Sequence, residues 1–498
     1  MLFSKNTEIV DIYTGMTINK EVTMSIKSAN HEDFEIAPTK RLKIIRQDRI
    51  PIVIPDIFLE VNGVKKPIIN YTPFGVAIKS EEDISAKEVI RGAIFLIKNI
   101  EAAIVDLKLV RHEKHDDFYE CAYEVIGIPI NKEHINAINI ATMLTEEHTK
   151  YVEEIVQIPA EVKVQTYQVK DWMERLEERI TQIEGNSNPG EQNSAFEEAF
   201  ISVVSSYIGA SFPMVYNNFQ TVIDQFDEET RIKSIEFLRE KISGIAYKSP
   251  FAQRVYKKPL GYAGDFESMN LIYKNEIVGK TLFEKVLHHY YLHEPSPKAV
   301  RNRSEYITAR ITETLLERKG QKEINILSVA CGPSNEWQGL VKSGQFNEYD
   351  NVNVYLLDQD VRALQFSQEQ VKKLCLEHNC KINFFYINKA IKNLISESGE
   401  GEQKYDLIYS AGLFDYLSAP VAKITAKQLY SKLKDKSELI IGNFNVGNPN
   451  VAGITIIFDW HLIYRSMDNL RDLFEGVCSD LQIDTEPLNI NLFCRLKS

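Results

Sequence analysis

Several features that would confine this chain to one class are missing. Its six cysteines, Cys121, Cys331, Cys375, Cys380, Cys478 and Cys494, form no Cys-x-x-Cys pair and no zinc spacing. Neither a disulfide framework nor a structural zinc is expected, and the thiols read as reduced. No run approaches the roughly 18 consecutive apolar residues of a membrane helix. The opening MLFSKNTEIVDIY lacks the apolar core of a signal peptide. An excess of positive charge is also missing: 58 basic against 70 acidic residues leave a net charge of −12. That balance opposes bulk attraction to a nucleic-acid polyanion. The expectation is a cytoplasmic protein with no nucleic-acid substrate and no integral membrane contact. At 498 residues, 44% of them hydrophobic, the chain has material for about three domains.

Glycine is scarce where one stretch would be expected to use it. Ile324 to Val329 is a short β-branched run, followed by the turn ACGPSNE, a helix-compatible segment from Trp337, and a second strand ending in Asp358-Gln359-Asp360. A strand, a tight turn and a helix N-terminus offer free backbone N–H groups to a nucleotide. An acid at the next strand tip can accept from both ribose hydroxyls. A dinucleotide fold needs further glycines for its pyrophosphate. Here only Gly332 is present, followed by Pro333 and Ser334, which argues against NAD or FAD and suits a ligand with ribose and adenine but no phosphate. The stretch resembles motif I of the class I methyltransferases that use S-adenosylmethionine (SAM). The motif positions fall on Ser328, Ala330, Gly332 and Ser334, and three of the four depart from its Asp-x-Gly-x-Gly-x-Gly form.

Before this stretch the chain changes character several times. Residues 36–66 are basic, and strand-like runs such as RIPIVIPDIFLEV, PFGVAI and YECAYEVIGIPI then dominate to about residue 130, predicting a small barrel. Arg46-Gln47-Asp48-Arg49, with Arg41 upstream, precedes Asn70-Tyr71-Thr72-Pro73-Phe74-Gly75. Together they resemble a PilZ domain, a six-stranded barrel whose family binds cyclic di-GMP through RxxxR and D/N-x-S-x-x-G. Asn70, Thr72 and Gly75 match the second pattern with threonine for serine. The arginines match the first imperfectly: Arg46 and Arg49 stand one residue too close, Arg41 and Arg46 one too far. The resemblance implies that these six residues bind cyclic di-GMP, since an arginine fork can meet a guanine edge and a phosphate. A solvated basic strand end is the alternative.

The expected organisation is a PilZ-like β-barrel over 1–140, a helical linker over 141–190, a helical lid or substrate region over 191–315, and an α/β Rossmann-like domain over 316–498. In the linker, Val169, Trp172, Met173, Leu176, Ile180 and Ile183 recur at helical spacing, predicting an interdomain or homodimer helix. Within the lid, KKPLGYAGDFESMNLIY crowds two glycines, Tyr262 and Asp265 before a helix. A functional loop and a plain turn with Asp265 as N-cap are both open there. His289 and His293 have the spacing of a metal pair, but no third ligand accompanies them, and no metal is expected.

Four pieces, KPLGYAGDFESMNLIY, LSVACGPSNEW, YDLIYSAGLFDYL and GNF followed by DWHLIYR, resemble together a narrow bacterial methyltransferase group that makes 3-hydroxy fatty-acid methyl esters. The resemblance spans about residues 250–498. It implies SAM as cofactor, held by Gly332, Pro333, Glu336, Asp358 and Asn388. It implies a small-molecule acceptor with a carboxylate, served by Tyr262, Asp265, Asp415, Tyr416, His461 and Arg465. A carboxylate acceptor needs no general base; a hydroxyl or amine would, and His461 is the candidate by residue type. The rival reading is a cyclic di-GMP receptor whose methyltransferase fold only docks partners.

Overall fold

Alternating apolar residues between 57 and 126 close a barrel. The computed structural model describes residues 50–51, 57–81, 89–115, 117–186, 194–390 and 403–498, in two units, Met1–His148 and Thr149–Ser498. In the first unit, β1 (Ile50–Pro51), β2 (Ile57–Val61), β3 (Val64–Thr72), β4 (Gly75–Ser80), β5 (Val89–Ile97), β6 (Ile100–Lys114) and β7 (Tyr119–Ile126) run in the order β1-β3-β2-β5-β6-β7-β4. The extra β3–β4 pairing closes six strands into an antiparallel barrel, which leaves those strands no free edge. Leu59, Ile78, Phe95, Ile97, Leu107 and Cys121 point inward and are fully buried. Asn62-Gly63 and Lys98-Asn99 take positive φ between paired Val61↔Val64 and Ile97↔Ile100. That is the turn chemistry that matches strand twist in two-residue hairpins.

Arg41, Arg46 and Arg49 lie outside the described residues. Asn70 and Thr72 end β3 and Gly75 starts β4, so the Asn-x-Thr-x-x-Gly pattern is a hairpin. Thr72 pairs with Gly75 across Pro73-Phe74, and Thr72 Oγ1 accepts from the Phe74 N–H at 3.3 Å. A Cβ at Gly75 would stand 3.1 Å from the Tyr123 carbonyl oxygen, so close strand approach is a local reason for this glycine. Helix α1 (Lys132–Gln157) follows, with Asn131 Oδ1 accepting from the His134 N–H and Ile135 buried in the barrel core.

The second unit begins with helices: α2 (Ala160–Asn186), α3 (Ser194–Ile223), α4 (Glu228–Ala246), α5 (Pro250–Lys257), α6 (Phe266–Lys274), α7 (Leu282–His293) and α8 (Pro295–Glu317). Asp227, Ser249, Asp265 and Thr281 cap four of them through their side chains, each worth about 1 kcal/mol. Val169, Met173 and Ile180 of α2 are buried in the helical core and Trp172 stacks on Phe212 at 5.2 Å. Most of that stripe is used within the chain, while Ile183 at its end stays 41% exposed. No uninterrupted apolar run of membrane-helix length occurs, but one helix reaches it on average. Ala195–Ile223 is long and apolar enough by length and composition. Polar residues such as Glu197, Ser205, Asn217 and Gln220 interrupt its apolar runs but leave the average apolar, while Ile201, Ile208, Phe212 and Phe219 pack into the core.

A seven-stranded sheet completes the unit: β8 (Ile324–Val329), β9 (Val352–Asp358), β10 (Asn383–Asn388), β11 (Tyr405–Ser410), β12 (Leu433–Phe444), β13 (Asp480–Thr485) and β14 (Asn491–Lys497), ordered β10-β9-β8-β11-β12-β14-β13. The first five are parallel and β14 is antiparallel to both neighbours. Central β8 is buried at all six positions, as a strand covered on both faces must be. The order reverses between β8 and β11, the switch point where open α/β sheets bind ligands. Helices α9 (Asn335–Ser343), α10 (Val361–Glu377), α11 (Ala419–Tyr430) and α13 (Met467–Phe474) flank it, and α12 (Val451–Phe458) packs into the helical core instead. FDWHLIYR does not start a helix. α12 ends at Asp459, where φ is +51°, and Trp460–Tyr464 follow without regular structure.

Candidate active site

The turn after β8 keeps glycine geometry without the glycines. Ala330, Gly332 and Ser334 have φ of 55°, 53° and 54°, and these are the three glycine positions of the motif. The left-handed conformation costs a non-glycine residue about 1–2 kcal/mol. The surroundings hold it: the Cys331 N–H donates to the Leu357 carbonyl at 3.0 Å, and the fully buried Ser334 hydroxyl bonds Ser367 at 2.7 Å.

Asp358, at the tip of β9, faces this turn. It is buried and accepts from the Gly332 and Asp360 N–H groups, each at 2.9 Å. Burial raises its carboxyl above the usual range, against those hydrogen bonds. Each carboxylate oxygen retains acceptor capacity for a ribose hydroxyl. Asn388 takes another position from the one expected. Its Nδ2 donates to the Asp358 and Gln359 carbonyls at 3.1 and 3.0 Å, so it braces the strand tip, and its neighbour Lys389 lines the cavity. Gly332, Pro333 and Glu336 also line it. Tyr409 donates to Glu336 at 2.6 Å and accepts from Trp337 Nε1 at 2.9 Å. Desolvation raises the Glu336 carboxyl.

These strand tips open into a cavity of about 380 Å³ whose other half is apolar, walled by side chains such as Phe251, Phe266, Met269, Ile454 and Phe458. The far wall carries a polar group, Glu294, which accepts from Tyr216 at 2.9 Å and from Asn450 Nδ2 at 2.6 Å.

The acceptor-side residues divide. Tyr262, Asp415 and Tyr416 line the cavity. Tyr262 donates to Asp360 Oδ2 at 3.2 Å, tying its loop to the β9 tip. Burial raises its phenol above the usual range. Asp415 is buried on a single 3₁₀ turn, Phe414–Tyr416, and accepts from the Phe444 N–H at 2.6 Å. Burial pushes its carboxyl up to about 7, against the pull of Arg303 and Arg465. Tyr416 accepts from Trp460 Nε1 at 2.7 Å. A Cβ at Gly264 would come within 2.8 Å of both Trp460 Cζ2 and Tyr416 Oη, so glycine is what lets the loop lie on this pair.

Asp265, His461 and Arg465 are not among the lining residues. Asp265 is fully buried, caps α6 through the Ser268 N–H at 2.7 Å, and takes Arg254 at 2.9 and 2.8 Å. Of its two readings the cap is the one the geometry shows. His461 is exposed and pairs with Asp459 at 3.0 Å, while Trp460 and Leu462 on either side line the cavity. Arg465 is buried and donates to the Phe414 carbonyl at 2.8 Å, to Asn443 Oδ1 at 2.5 Å and to the Leu417 carbonyl. It clamps the turn that presents Asp415 and Tyr416. His289 and His293 stack at 3.8 Å, and among the described residues no group of three potential ligands could hold a metal.

Sequence reasoning missed Arg303, Tyr273, Glu294 and Asn450. Arg303 and Glu294 sit in RNR and HEP, strings with no local pattern, and only the fold directs them into the cavity.

A methyltransferase-domain family model matches residues 321–486, and the C-terminal part of the chain is a methyltransferase domain. Solved structures similar to it include a possible exported protein from Bordetella parapertussis (14% identity, 63% of this chain and 99% of that one, TM-score 0.40). They also include a magnesium protoporphyrin IX methyltransferase from Synechocystis with bound S-adenosylhomocysteine (11%, 41% and 87%, 0.31) and an N-methyltransferase from Bradyrhizobium japonicum in complex with the same nucleoside (12%, 41% and 89%, 0.28). No curated protein matches the chain.

Proposed function

We propose that this protein is a SAM-dependent methyltransferase acting on the carboxylate of a small acid with an acyl chain, and that cyclic di-GMP binding to its barrel regulates it. One observation carries the catalytic part. A single cavity joins the β8 turn and Asp358 to an apolar chamber large enough for an acyl group. Asp358 would hold the ribose and Gly332, Pro333 and Glu336 the rest of the nucleoside; SAM supplies an electrophilic methyl group.

The chain's own part is alignment and exclusion of water. Tyr416 and Trp460, locked together, close one side of the cavity, and Tyr262 closes another. Asp415, whose carboxyl is raised to about 7, exchanges its proton near physiological pH and can donate or accept a hydrogen bond at the acceptor. A carboxylate acceptor needs no proton removed, which suits a cavity that His461 does not line.

The test is incubation of the full chain with methyl-labelled SAM and an organic extract. The expected product is an organic-soluble, alkali-labile ester with release of S-adenosylhomocysteine. Label confined to protein or nucleic acid would refute the acid acceptor, and no release of S-adenosylhomocysteine would favour the receptor reading. Regulation rests on Arg41, Arg46, Arg49, Asn70, Thr72 and Gly75. Titration of the full chain with cyclic di-GMP should give heat and change the methylation rate by about 5- to 150-fold. No heat would leave the barrel a docking module.

A further inference from the structure

Arg303, on α8, is the one arginine among the described residues that lines the cavity. Other well-shielded arginines of this unit are committed. Arg254 holds Asp265, Arg310 and Arg495 hold Glu438, and Arg465 holds carbonyls and Asn443. Arg303 is 6% exposed and its Nε has no hydrogen-bond partner. Among the described residues no ion pair includes it. Its guanidinium forms part of the cavity lining and lies against the main chain beyond β11, where a Cβ at Gly412 would stand 3.0 Å from Nη1 and 3.2 Å from Nη2. Tyr273 shares a side-chain hydrogen bond with it, and the two acids that feel its charge are hydrogen-bonded elsewhere: Glu336 accepts from Tyr409, and Asp415 from the Phe444 N–H.

A guanidinium kept from water without an anion is costly. Its planar fork matches a carboxylate in two parallel hydrogen bonds. We propose that Arg303 is the carboxylate-receiving residue of this cavity. For the source of that carboxylate the inference rests on the methyl-transfer reading. The amino-acid end of the cofactor and an acid acceptor each present the same group, and an experiment can tell them apart.

The probes are S-adenosylhomocysteine, 5′-methylthioadenosine, which shares the nucleoside but has no carboxylate, and decanoate. Binding of each to the full-length protein is measured by calorimetry for wild type, Arg303→Gln and Arg303→Lys, with folding checked by melting. Loss of one charge-assisted contact corresponds to about 10- to 100-fold in affinity. If the cofactor is the source, Arg303→Gln weakens S-adenosylhomocysteine by that factor and leaves 5′-methylthioadenosine unchanged. If the acceptor is the source, decanoate weakens and S-adenosylhomocysteine does not. Arg303→Lys retains part of the affinity in either case. The inference is overturned if S-adenosylhomocysteine and decanoate bind the variants as they bind wild type, or if S-adenosylhomocysteine and 5′-methylthioadenosine weaken together. Should Arg303→Gln not fold, Gly412→Ala, which crowds the same guanidinium, must weaken the same carboxylate probe selectively. A wild type that binds neither nucleoside would instead sink the methyl-transfer reading, leaving the decanoate comparison to decide on Arg303.

Discussion

The main-chain N–H of Gly332 donates to Oδ2 of Asp358 across 2.9 Å. This bond ties the turn after β8 to the tip of β9, so the two elements that would hold a nucleoside are set by each other before any ligand arrives. Preorganisation of this kind reduces the cost of binding.

Asp358→Asn tests it. An amide replaces one acceptor oxygen with a donor that faces either the Gly332 or the Asp360 N–H. Affinity for S-adenosylhomocysteine should fall by about 1.5–3 kcal/mol, the worth of hydrogen bonds to a charged group. Calorimetry measures it, and unchanged affinity would remove Asp358 from the site.

Ala330→Gly should stabilise the protein. It relieves a left-handed Cβ worth about 1–2 kcal/mol, offset by about 0.5–1 kcal/mol of added unfolded-chain entropy. The net gain expected in chemical denaturation is below about 1.5 kcal/mol. A loss would mean that the turn is not strained at this position.

Gly264→Ala should damage catalysis more than folding. Its Cβ would meet Trp460 and Tyr416 at 2.8 Å, and overpacking of this kind costs about 1–3 kcal/mol. The expected outcome is a lower kcat with a modestly lower Tm. Wild-type kcat would show that the loop does not shape the site.

Asp415 makes stability depend on pH. Its folded carboxyl is raised to about 7, so the native state holds a proton that the unfolded chain has released. The stability of the neutral form is complete below the ordinary carboxyl range and is lost as pH rises through about 7. Asp415→Asn keeps a neutral acceptor for the Phe444 N–H. Denaturation between pH 5 and 8 (about two units around the raised value) should show the variant gaining on wild type, by at most about 1.4 kcal/mol per pH unit. Parallel curves would mean that Asp415 titrates normally.

His461→Ala should leave methylation within about threefold of wild type, because surface substitutions usually stay within ±0.5 kcal/mol. A loss of 100-fold or more, about 2.7 kcal/mol, would bring His461 into the reaction.

Local pattern was enough for the barrel, the helical middle and the α/β sheet, because each rests on periodicity and turn residues within short windows. Period-two alternation with Asn62-Gly63 specifies a hairpin, and a continuous apolar run such as Ile324–Val329 specifies a strand covered on both faces. The turn after β8 was legible in part. Gly332 and Asp358 stood out, while Ala330 and Ser334 disguised a backbone that keeps the motif's shape. Tertiary structure alone decided which polar side chains face the cavity. Arg465, in a suggestive string, spends its charge on main-chain carbonyls, and Arg303, in an unremarked one, lines the cavity with its Nε unpartnered. Sequence spacing sets where a side chain leaves the backbone. Which partners satisfy it depends on elements as distant as Phe414 and Asn443, brought together only when the sheet and helices pack.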